Sequence, residues 1–371
     1  MEKIAHVNTI SEKLEKLVAE YVGTNKCVCL NSQTACAEMA LRVLGIGEGD
    51  EVIVPAYTYT ASASVIAHVG AKIVMIDTQK DSLEMDYDAL EAAINKKTKA
   101  IIPVHIQGFP CNMDAICAVA KKHGIAVVED ACQSIGGKYK GEFLGTIGEA
   151  GAYSFNYYKV ITSGEGGALV TRSRELFERA LIYHDSSAVA FFGSQLDGIS
   201  QPIFGGTEFR VSDITGAILR EQLKKLPSII ADLHKNKFAL IELLKNKELV
   251  APSHDAEGDC ATTLVLRFET SEECKAFAER CESNGLSITI PINTGKHIYT
   301  NWTQIMEKRG AIHPAMDPFK MEANKDLQHD YSIDMCPKTL DLLSRSAYIA
   351  IDPDWTEEQL NAVAKTVNNS L

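Results

Sequence analysis

Short apolar runs alternate with amphipathic segments in the first half of the chain, between residues 27 and 171. The runs contain many β-branched residues and are apolar at successive positions. This pattern is typical of strands that are buried on both faces of a sheet. We therefore predict strands at residues 27–30, 51–55, 71–77, 99–106, 125–131, 150–155 and 167–171.

The segments between these runs place their apolar residues on one helical face, as Leu90, Ala93 and Ile94 illustrate. We predict helices at residues 34–44, 58–69, 86–94 and 112–123. Strands that alternate with helices indicate an α/β fold with a mostly parallel sheet flanked by helices. Ligands of such sheets gather at the carboxyl ends of the strands, so residues that follow the runs are the first candidates for a site.

A different pattern follows the alternating region. A glycine- and serine-rich stretch at residues 193–206 predicts a long loop. A helix is predicted at residues 212–226, and we expect Pro227 to interrupt it before a further helix that runs toward residue 244.

From about residue 249 the chain predicts a smaller α+β unit. Its helices are expected at residues 271–284 and from residue 356 onward. Its strands are expected at residues 262–268, 286–291 and 347–351. We therefore predict a large domain at residues 1–248, including inter-domain helices, and a small C-terminal domain at residues 249–371.

Composition narrows the class of protein. The 371 residues are enough for two compact units, and the net charge of −12 argues against nucleic acid or a membrane surface as a partner. Neither a membrane-spanning run nor a secretory pattern is evident, so we expect a cytoplasmic protein. The ten cysteines lack the spacing of a zinc site, so we predict no metal and reduced, buried thiols.

Two residues suggest the chemistry. Lys159 follows one strand-like run and precedes a glycine-rich turn, and a desolvated lysine held there can form a Schiff base with a carbonyl cofactor. Asp130 ends another apolar run, where its carboxylate could keep a pyridine nitrogen protonated. An amine and a carboxylate of this kind are what pyridoxal 5′-phosphate requires. Taken alone, however, Lys159 is compatible with a surface lysine and Asp130 with a turn cap.

Other residues around these two also have alternative interpretations. Residues 31–35 lie between a strand and a helix, where helix amides bind phosphate but where Ser32 or Thr34 could simply be an N-cap. The ring of Tyr59 could stack on a flat cofactor or lie half-buried in the first turn of a helix. Gln133 could donate a hydrogen bond to the cofactor or face solvent, and Ser154 could contact phosphate.

The chain resembles the fold-type-I pyridoxal phosphate enzymes of the nucleotide-sugar aminotransferase group, the DegT/StrS family, over nearly its whole length. Together and in order the matching motifs are highly specific, although each alone is weak. The motifs are residues 31–35, 45–52, 103–105, 129–133 and 154–167.

The resemblance implies a role for each matching residue. Lys159 is the Schiff-base lysine, Asp130 is the partner of the pyridine nitrogen, Tyr59 stacks on the ring and Gln133 lies beside the phenolic oxygen. Phosphate contacts are implied for three residues, namely Thr34, Ala35 and Ser154. It also implies a homodimer with shared active sites, an amino-acid donor such as L-glutamate, and a sugar acceptor.

The chain departs from the family pattern at three places. Gln33 stands where the family usually has glycine, so the phosphate loop must adjust to a side chain. Glu208 stands where an asparagine usually reaches the phosphate of the neighbouring subunit, and a carboxylate there would repel it; Arg210 is the candidate substitute. The chain also begins close to its first helix, without the N-terminal stretch of many members.

The function that the resemblance implies is amination, since sister enzymes that dehydrate sugars carry histidine in place of Lys159. Residues 297–302, 309–314 and 330–332 resemble a branch that acts on keto-inositols or on an oxidised Kdo, so 8-oxo-Kdo in lipopolysaccharide biosynthesis is one expected acceptor. The alternatives are a keto-inositol or nucleotide-ketosugar aminotransferase, a pyridoxal phosphate-dependent sugar dehydratase, and a non-catalytic regulatory module that binds the cofactor.

Overall fold

The computed structural model describes residues 10–189, 198–327 and 330–371. Its strands, in chain order β1 to β13, are Cys27–Leu30, Glu51–Pro55, Lys72–Ile76, Thr78–Gln79, Ser82–Met85, Thr98–Ile101, Ala126–Asp130, Lys138–Tyr139, Glu142–Phe143, Ala150–Ser154, Gly167–Val170, Thr263–Arg267 and Ser346–Ala350. Its α-helices, in chain order α1 to α11, are Ile10–Tyr21, Gln33–Val43, Thr60–His68, Tyr87–Ala93, Met113–His123, Arg174–Tyr183, Asp213–Leu243, Ser271–Ser283, Thr303–Met306, Pro337–Ser344 and Glu357–Ser370.

A seven-stranded sheet forms the centre of the larger part, in the order β1-β11-β10-β7-β6-β2-β3. The pairs β10–β7, β7–β6, β6–β2 and β2–β3 are parallel, whereas β11 is antiparallel to both of its neighbours. The parallel strands therefore end at the same edge of the sheet. The predicted fold class, a mostly parallel sheet flanked by helices, is confirmed.

Both faces of this sheet are covered, and strand geometry explains how. Successive side chains of a strand point to opposite faces, so Val52 and Val54 of β2 join one hydrophobic cluster with α2 and α3, while Ile53 joins another with α5. This two-sided burial is why the strands appear in the sequence as continuous apolar runs and not as alternating ones.

Helix α7 differs from the prediction, because Pro227 lies inside one continuous helix of 31 residues instead of separating two. The helix tolerates Pro227 because its leucines are buried both before and after the proline. Leu223 and Leu226 pack in the cluster that contains α1, and Leu233 and Leu240 pack in the cluster of the smaller sheet. Burying four leucine side chains outweighs the roughly 3 kcal/mol that an internal proline costs.

The smaller sheet consists of two antiparallel strands, β12 and β13, with α8 and α11 packed nearby. The strand predicted at residues 286–291 is wrong, since only Thr289 pairs there, in a single bridge to Tyr348. Pro291 starts a short 3-10 helix and so ends the pairing after one residue. In the predicted loop, residues 198–206 contain neither helix nor strand, and residues 193–197 lie outside the described residues.

The two sheets meet through buried contacts below the strand ends. The hydroxyls of Tyr57, after β2, and Tyr348, in β13, are 2.9 Å apart and hydrogen-bonded. Tyr299 and Trp302 join the cluster that covers one face of the large sheet. The division into domains at residue 248/249 stays a prediction.

Within the described ranges, no helix is long and apolar enough to cross a membrane. In that same part of the chain, no group of three or more histidine, cysteine or acidic side chains is arranged to hold a metal ion. The ten cysteines are all described, none forms a disulfide, and all except Cys117 and Cys132 are buried. These two are partly buried.

Candidate active site

A cavity of about 850 Å³ opens at the carboxyl edge of the large sheet, where the smaller sheet approaches it. One wall comes from the strand ends of the large sheet and the first turns of α2 and α3. The other comes from α7, β12 and a loop before residue 300. The lining includes seven residues singled out from the sequence, namely Gln33, Thr34, Tyr59, Asp130, Gln133, Ser154 and Lys159.

Asp130 ends β7 and is only 2% exposed. Its carboxylate accepts hydrogen bonds from the Ser62 hydroxyl at 2.7 Å and from the Cys132 amide at 3.1 Å. A carboxylate can accept about four hydrogen bonds, so Asp130 retains acceptor capacity on the side of the cavity. Sequence reasoning missed Ser62, because a serine inside a helix gives no signal of its partner. If Asp130 were simply a turn cap, this would explain its contact with the Cys132 amide but not its contact with the Ser62 hydroxyl.

The neighbouring residue, Glu129, points to the opposite side of β7 and is fully buried there. It accepts hydrogen bonds from the amides of Gly145, Ile147 and Gly148, and it lies 3.0 Å from Nε2 of His105. The Cys111 amide donates to His105 Nδ1. This arrangement satisfies the buried carboxylate entirely within the fold and anchors the strand end that carries Asp130.

Lys159 lies in a turn after β10, where its amide donates to the carbonyl of Asn156 at 3.0 Å. Its side chain is partly buried and lines the cavity, not the outer surface. Within the described ranges, its ammonium makes no ion pair with a carboxylate. The structure therefore places Lys159 and Asp130 at one cavity, as the sequence predicts, with the amine uncommitted.

The start of α2 contributes helix amides to the same cavity. Ser32 is the N-cap, and its hydroxyl accepts a hydrogen bond from the Ala35 amide at 3.1 Å. Thr34 lines the cavity, whereas Ala35 is buried and is not part of the lining. The N-cap interpretation of Ser32 is thus confirmed, and the phosphate contacts of Thr34 and Ala35 stay predictions, with the Ala35 amide already engaged by the cap.

Glycines bring the start of β11 close to this helix. Ser32 and Gly166 form a bridge, and a Cβ atom on Gly167 would lie 2.5 Å from the carbonyl carbon and oxygen of Ser32. Only a residue without a side chain permits this approach. Ser154, at the end of β10, is 6% exposed and lines the cavity beside them, which suits its predicted phosphate contact.

An aromatic and amide cluster closes the other side of the cavity. The ring of Tyr59 lies 5.7 Å from the ring of His297. Gln133 accepts a hydrogen bond from the Gln107 amide at 2.7 Å, which fixes the orientation of its side-chain amide. Its Nε2 atom, which can only donate, lies 3.4 Å from His297 Nε2. His297 therefore accepts at Nε2 and carries its hydrogen on Nδ1.

His297 was not predicted as a site residue, although it stands in a segment that supported the resemblance. Burial, together with the nearby positive charges of Lys159 and Lys296, lowers the pKa of His297 from 6.5 to about 4. The imidazole is consequently neutral near pH 7. Gln107 was also missed, because its role depends on a left-handed backbone (φ 55°) that the sequence does not announce.

Arg210, the candidate substitute for the asparagine of the family, lies outside the cavity lining. Its Nε atom pairs with Glu208 at 2.7 Å and with Asp185 at 3.3 Å. The segment that carries it runs beside the end of β1, where Leu30 bridges Arg210. The contact of Arg210 with the phosphate of a second subunit stays a prediction.

The residues present fit pyridoxal phosphate. A buried carboxylate with spare acceptor capacity, an uncommitted lysine and a helix N-terminus with nearby hydroxyls all face one cavity. These are the groups that a pyridinium, an aldehyde and a phosphate each require. The close approach of Gly167 to Ser32 holds the helix N-terminus against the strand end that carries Ser154.

Comparison with known proteins agrees with this geometry. A model of the DegT/DnrJ/EryC1/StrS aminotransferase family matches residues 3–368. The spore coat polysaccharide biosynthesis protein SpsC of Bacillus subtilis is 40% identical over 222 residues, which are 58% of this chain and 56% of SpsC. The GDP-perosamine synthase of Caulobacter vibrioides is 35% identical over 230 residues, 62% of this chain and 60% of the synthase.

The matched part of the chain thus spans less than two thirds of the length of these curated relatives. Among solved structures, a Streptococcus pneumoniae protein described as a sugar aminotransferase, in its PLP form, superimposes with a TM-score of 0.77. It is 28% identical, and the superposition covers 98% of this chain and 91% of that one. The fold, the cavity and the sequence motifs therefore point to one family.

Proposed function

Because the chain belongs to the DegT/DnrJ/EryC1/StrS aminotransferase family, we propose that it is a pyridoxal phosphate-dependent aminotransferase. It moves an amino group from an amino acid, with L-glutamate as the proposed donor, to a keto- or aldehydo-sugar. The observation that carries this proposal is the placement of Lys159 and Asp130 at one cavity.

Each residue has a distinct role in the proposed reaction. Pyridoxal phosphate, when bound, supplies an electron sink for the carbon that loses its proton. Asp130 would keep the pyridine nitrogen of the bound cofactor protonated, and the low exposure of this carboxylate would strengthen that interaction. Lys159 would hold the cofactor, and its freed ε-amine would carry the proton between the substrate carbon and the cofactor carbon, first as general base and then as general acid.

The remaining cavity residues orient the cofactor. Tyr59 provides an aromatic face, and Gln133, whose amide is fixed by Gln107, offers its Nε2 atom as a donor to the phenolic oxygen. Thr34 and Ser154 contribute hydroxyls near the start of α2 for the phosphate.

For the acceptor we propose a sugar, and 8-oxo-Kdo in lipopolysaccharide biosynthesis is the specific candidate from the sequence. The names of SpsC and GDP-perosamine synthase support a role in polysaccharide or sugar biosynthesis in general. A keto-inositol or a nucleotide-ketosugar is the alternative acceptor.

We also propose that the protein acts in the cytoplasm as a homodimer with shared active sites. Two tyrosines beside Lys159 support the dimer, because Tyr157 and Tyr158 are 71% and 85% exposed and Tyr158 lines the cavity. Large exposed aromatic rings at a cavity mouth favour burial against a second chain. Light scattering during size-exclusion chromatography would give the mass, and a monomer mass would contradict this part of the proposal.

The reaction can be tested through its first half. Adding L-glutamate to the pyridoxal phosphate-loaded protein should convert the cofactor to its amine form and release 2-oxoglutarate, as followed by absorbance. Replacing Lys159 with alanine should remove the absorbance of lysine-bound cofactor and slow conversion by about 10²-fold or more, because the proton carrier is lost. Lys365→Ala, an exposed lysine of α11, is the matched control and should change neither.

Two outcomes would contradict the proposal. Normal turnover in Lys159→Ala would remove the role of that lysine. Deoxygenation of a ketosugar by the wild-type protein without consumption of a donor would favour the dehydratase. Glutamate-dependent conversion of the cofactor would exclude a simple binding module.

A further inference from the structure

Lys296 lines the cavity from the side opposite the large sheet. Its side chain is exposed, and within the described ranges no carboxylate lies within ion-pairing distance of its ammonium. Lys237, by contrast, forms such a pair with Asp259 at 2.8 Å. Lys296 is therefore a cation that faces a ligand cavity without a protein counterion there.

The backbone holds Lys296 in place although it belongs to a loop. A short 3-10 helix, Pro291–Asn293, precedes it, and Gly295 turns the chain with φ +67°. Immediately afterwards Ile298 bridges Tyr57, and the Tyr299 amide donates to the Ala56 carbonyl at 3.2 Å. These bonds tie the loop to the end of β2, so the position of Lys296 is fixed by the large sheet.

The charges around Lys296 leave it available for a ligand. Two described carboxylates line the cavity, and neither forms an ion pair with Lys296: Asp130 accepts a hydrogen bond from Ser62, and Glu165 accepts one from Asn156 at 2.8 Å. The adjacent His297 is held neutral and so adds no competing charge. Although the chain has a net charge of −12, two lysines, Lys159 and Lys296, lie close enough to His297 to lower its pKa.

We propose that Lys296 binds a carboxylate of the substrate, which makes it a residue that selects for acidic substrates. This proposal rests on the proposed aminotransferase function, because that function defines the substrate. It concerns only the binding of the substrate and not its conversion. Two sources of the carboxylate share this chemistry: the amino-acid donor and a sugar acid as acceptor. A charge-assisted hydrogen bond from an ammonium to a carboxylate suits either one.

Binding of defined probes separates the two sources without requiring turnover. Glutarate represents the dicarboxylate skeleton of the donor, D-gluconate represents a polyhydroxy acid, and D-sorbitol is the uncharged match of gluconate. Isothermal titration of each probe into the pyridoxal phosphate-loaded wild-type protein and its variants would give the dissociation constants. Glutamate-driven conversion of the cofactor, measured separately, tests the proposed function itself.

We expect Lys296→Gln to weaken binding of at least one acid roughly 10- to 100-fold, the range for hydrogen bonds to charged groups. Lys296→Arg should restore most of the affinity, since the charge returns. Lys365→Gln should leave both acids unaffected. Weaker glutarate binding assigns Lys296 to the donor, weaker gluconate binding assigns it to an acidic acceptor, and weakening of both means that one site serves both.

The proposal is overturned if Lys296→Gln binds both acids as the wild type does, if neither acid binds the wild-type protein, or if sorbitol binding falls in parallel with gluconate binding. Loss of cofactor binding in Lys296→Gln, seen in the absorbance of the loaded protein, would also overturn it, because the lysine would then serve the cofactor and not the substrate.

Discussion

The two walls of the cavity are built in different ways. The wall from the large sheet, which we call the sheet wall, consists of strand ends and helix starts, with Asp130 at the end of β7 and Ser154 at the end of β10. The opposite wall combines α7 and the start of β12 with a loop that carries Lys296 and His297, and we call it the loop wall. This loop is held by the bridge of Ile298 to Tyr57 and by the contact of His297 with Gln133. We infer that the first wall serves the cofactor and the second serves the substrate.

The difference shows how one fold can change its substrate. Strand ends are held by rows of backbone hydrogen bonds and by packing on both faces, so their side chains are fixed together. A loop tied down at a few points can exchange side chains without disturbing the sheet. We therefore expect that residue changes in the loop wall alter which acceptor is used. Residue changes in the sheet wall are expected to lower turnover with every substrate.

Among changes to the two walls, Asp130→Asn in the sheet wall is expected to lower turnover the most. Asparagine keeps one oxygen that can accept from the Cys132 amide, and its Nδ2 can donate to the Ser62 hydroxyl, but the neutral amide cannot hold a pyridine nitrogen protonated. Turnover should fall by about 10²- to 10³-fold, as when one preorganised electrostatic partner is removed. Steady-state kinetics with glutamate would measure it. Ser62→Ala, which loses one hydrogen bond and no charge, should lose less, and equal losses in both variants would contradict the assignment.

A smaller effect is expected from Gly167→Ala, which tests how tightly the sheet wall is built. The new Cβ atom would lie 2.5 Å from the Ser32 carbonyl, so the start of α2 must move away from β11. We expect the free energy of unfolding to fall by about 1–3 kcal/mol, the usual cost of overpacking. Affinity for pyridoxal phosphate should fall more than affinity for pyridoxal, because the displaced helix start is the proposed phosphate site.

Urea unfolding and cofactor titration would measure both quantities. Gly205→Ala is the matched control, since a Cβ atom there meets nothing within 4 Å and its φ is not in the left-handed range. A Gly167→Ala protein that is as stable as the control would show that the two segments can separate freely, and the sheet wall would then be no more rigid than the loop wall.

The smallest effect concerns the contact that joins the two walls, the hydrogen bond between Tyr57 and Tyr348. Burial raises the pKa of Tyr57 to about 12, so both groups remain neutral phenols over the working range of pH. Tyr348→Phe should lower the free energy of unfolding by about 1 kcal/mol, the net value of one hydrogen bond. Urea unfolding of the two single variants and the double variant would give the coupling energy, and additive losses would contradict a direct bond.

Much of the sheet wall could be predicted from the sequence, because it depends on local patterns. Apolar runs marked the strands, and the residues just after the runs, Asp130 and Lys159, proved to share the cavity. The N-cap role of Ser32 was likewise one of two local interpretations. Family membership was also predicted correctly from ordered motifs.

The loop wall could not be predicted, because its geometry comes from contacts between residues far apart in sequence. His297 reaches the cavity because the next residue, Ile298, bridges Tyr57, and Ser62 meets Asp130 once α3 packs on α2, β2 and β3. The expected break at Pro227 failed for the same reason, since tertiary burial on both sides of the proline outweighed its local preference.

That unbroken helix has a mechanical consequence. Ile229 and Leu233, which follow Pro227 within two turns, form part of the cavity lining. A proline leaves the carbonyl four residues earlier without its usual donor, so α7 flexes most easily at that point. The portion of α7 after Pro227 packs against α11 and the smaller sheet. A tilt of that sheet would therefore move Ile229 and Leu233 relative to the rest of the cavity. The width of the cavity thus depends on how strongly α7 bends at Pro227.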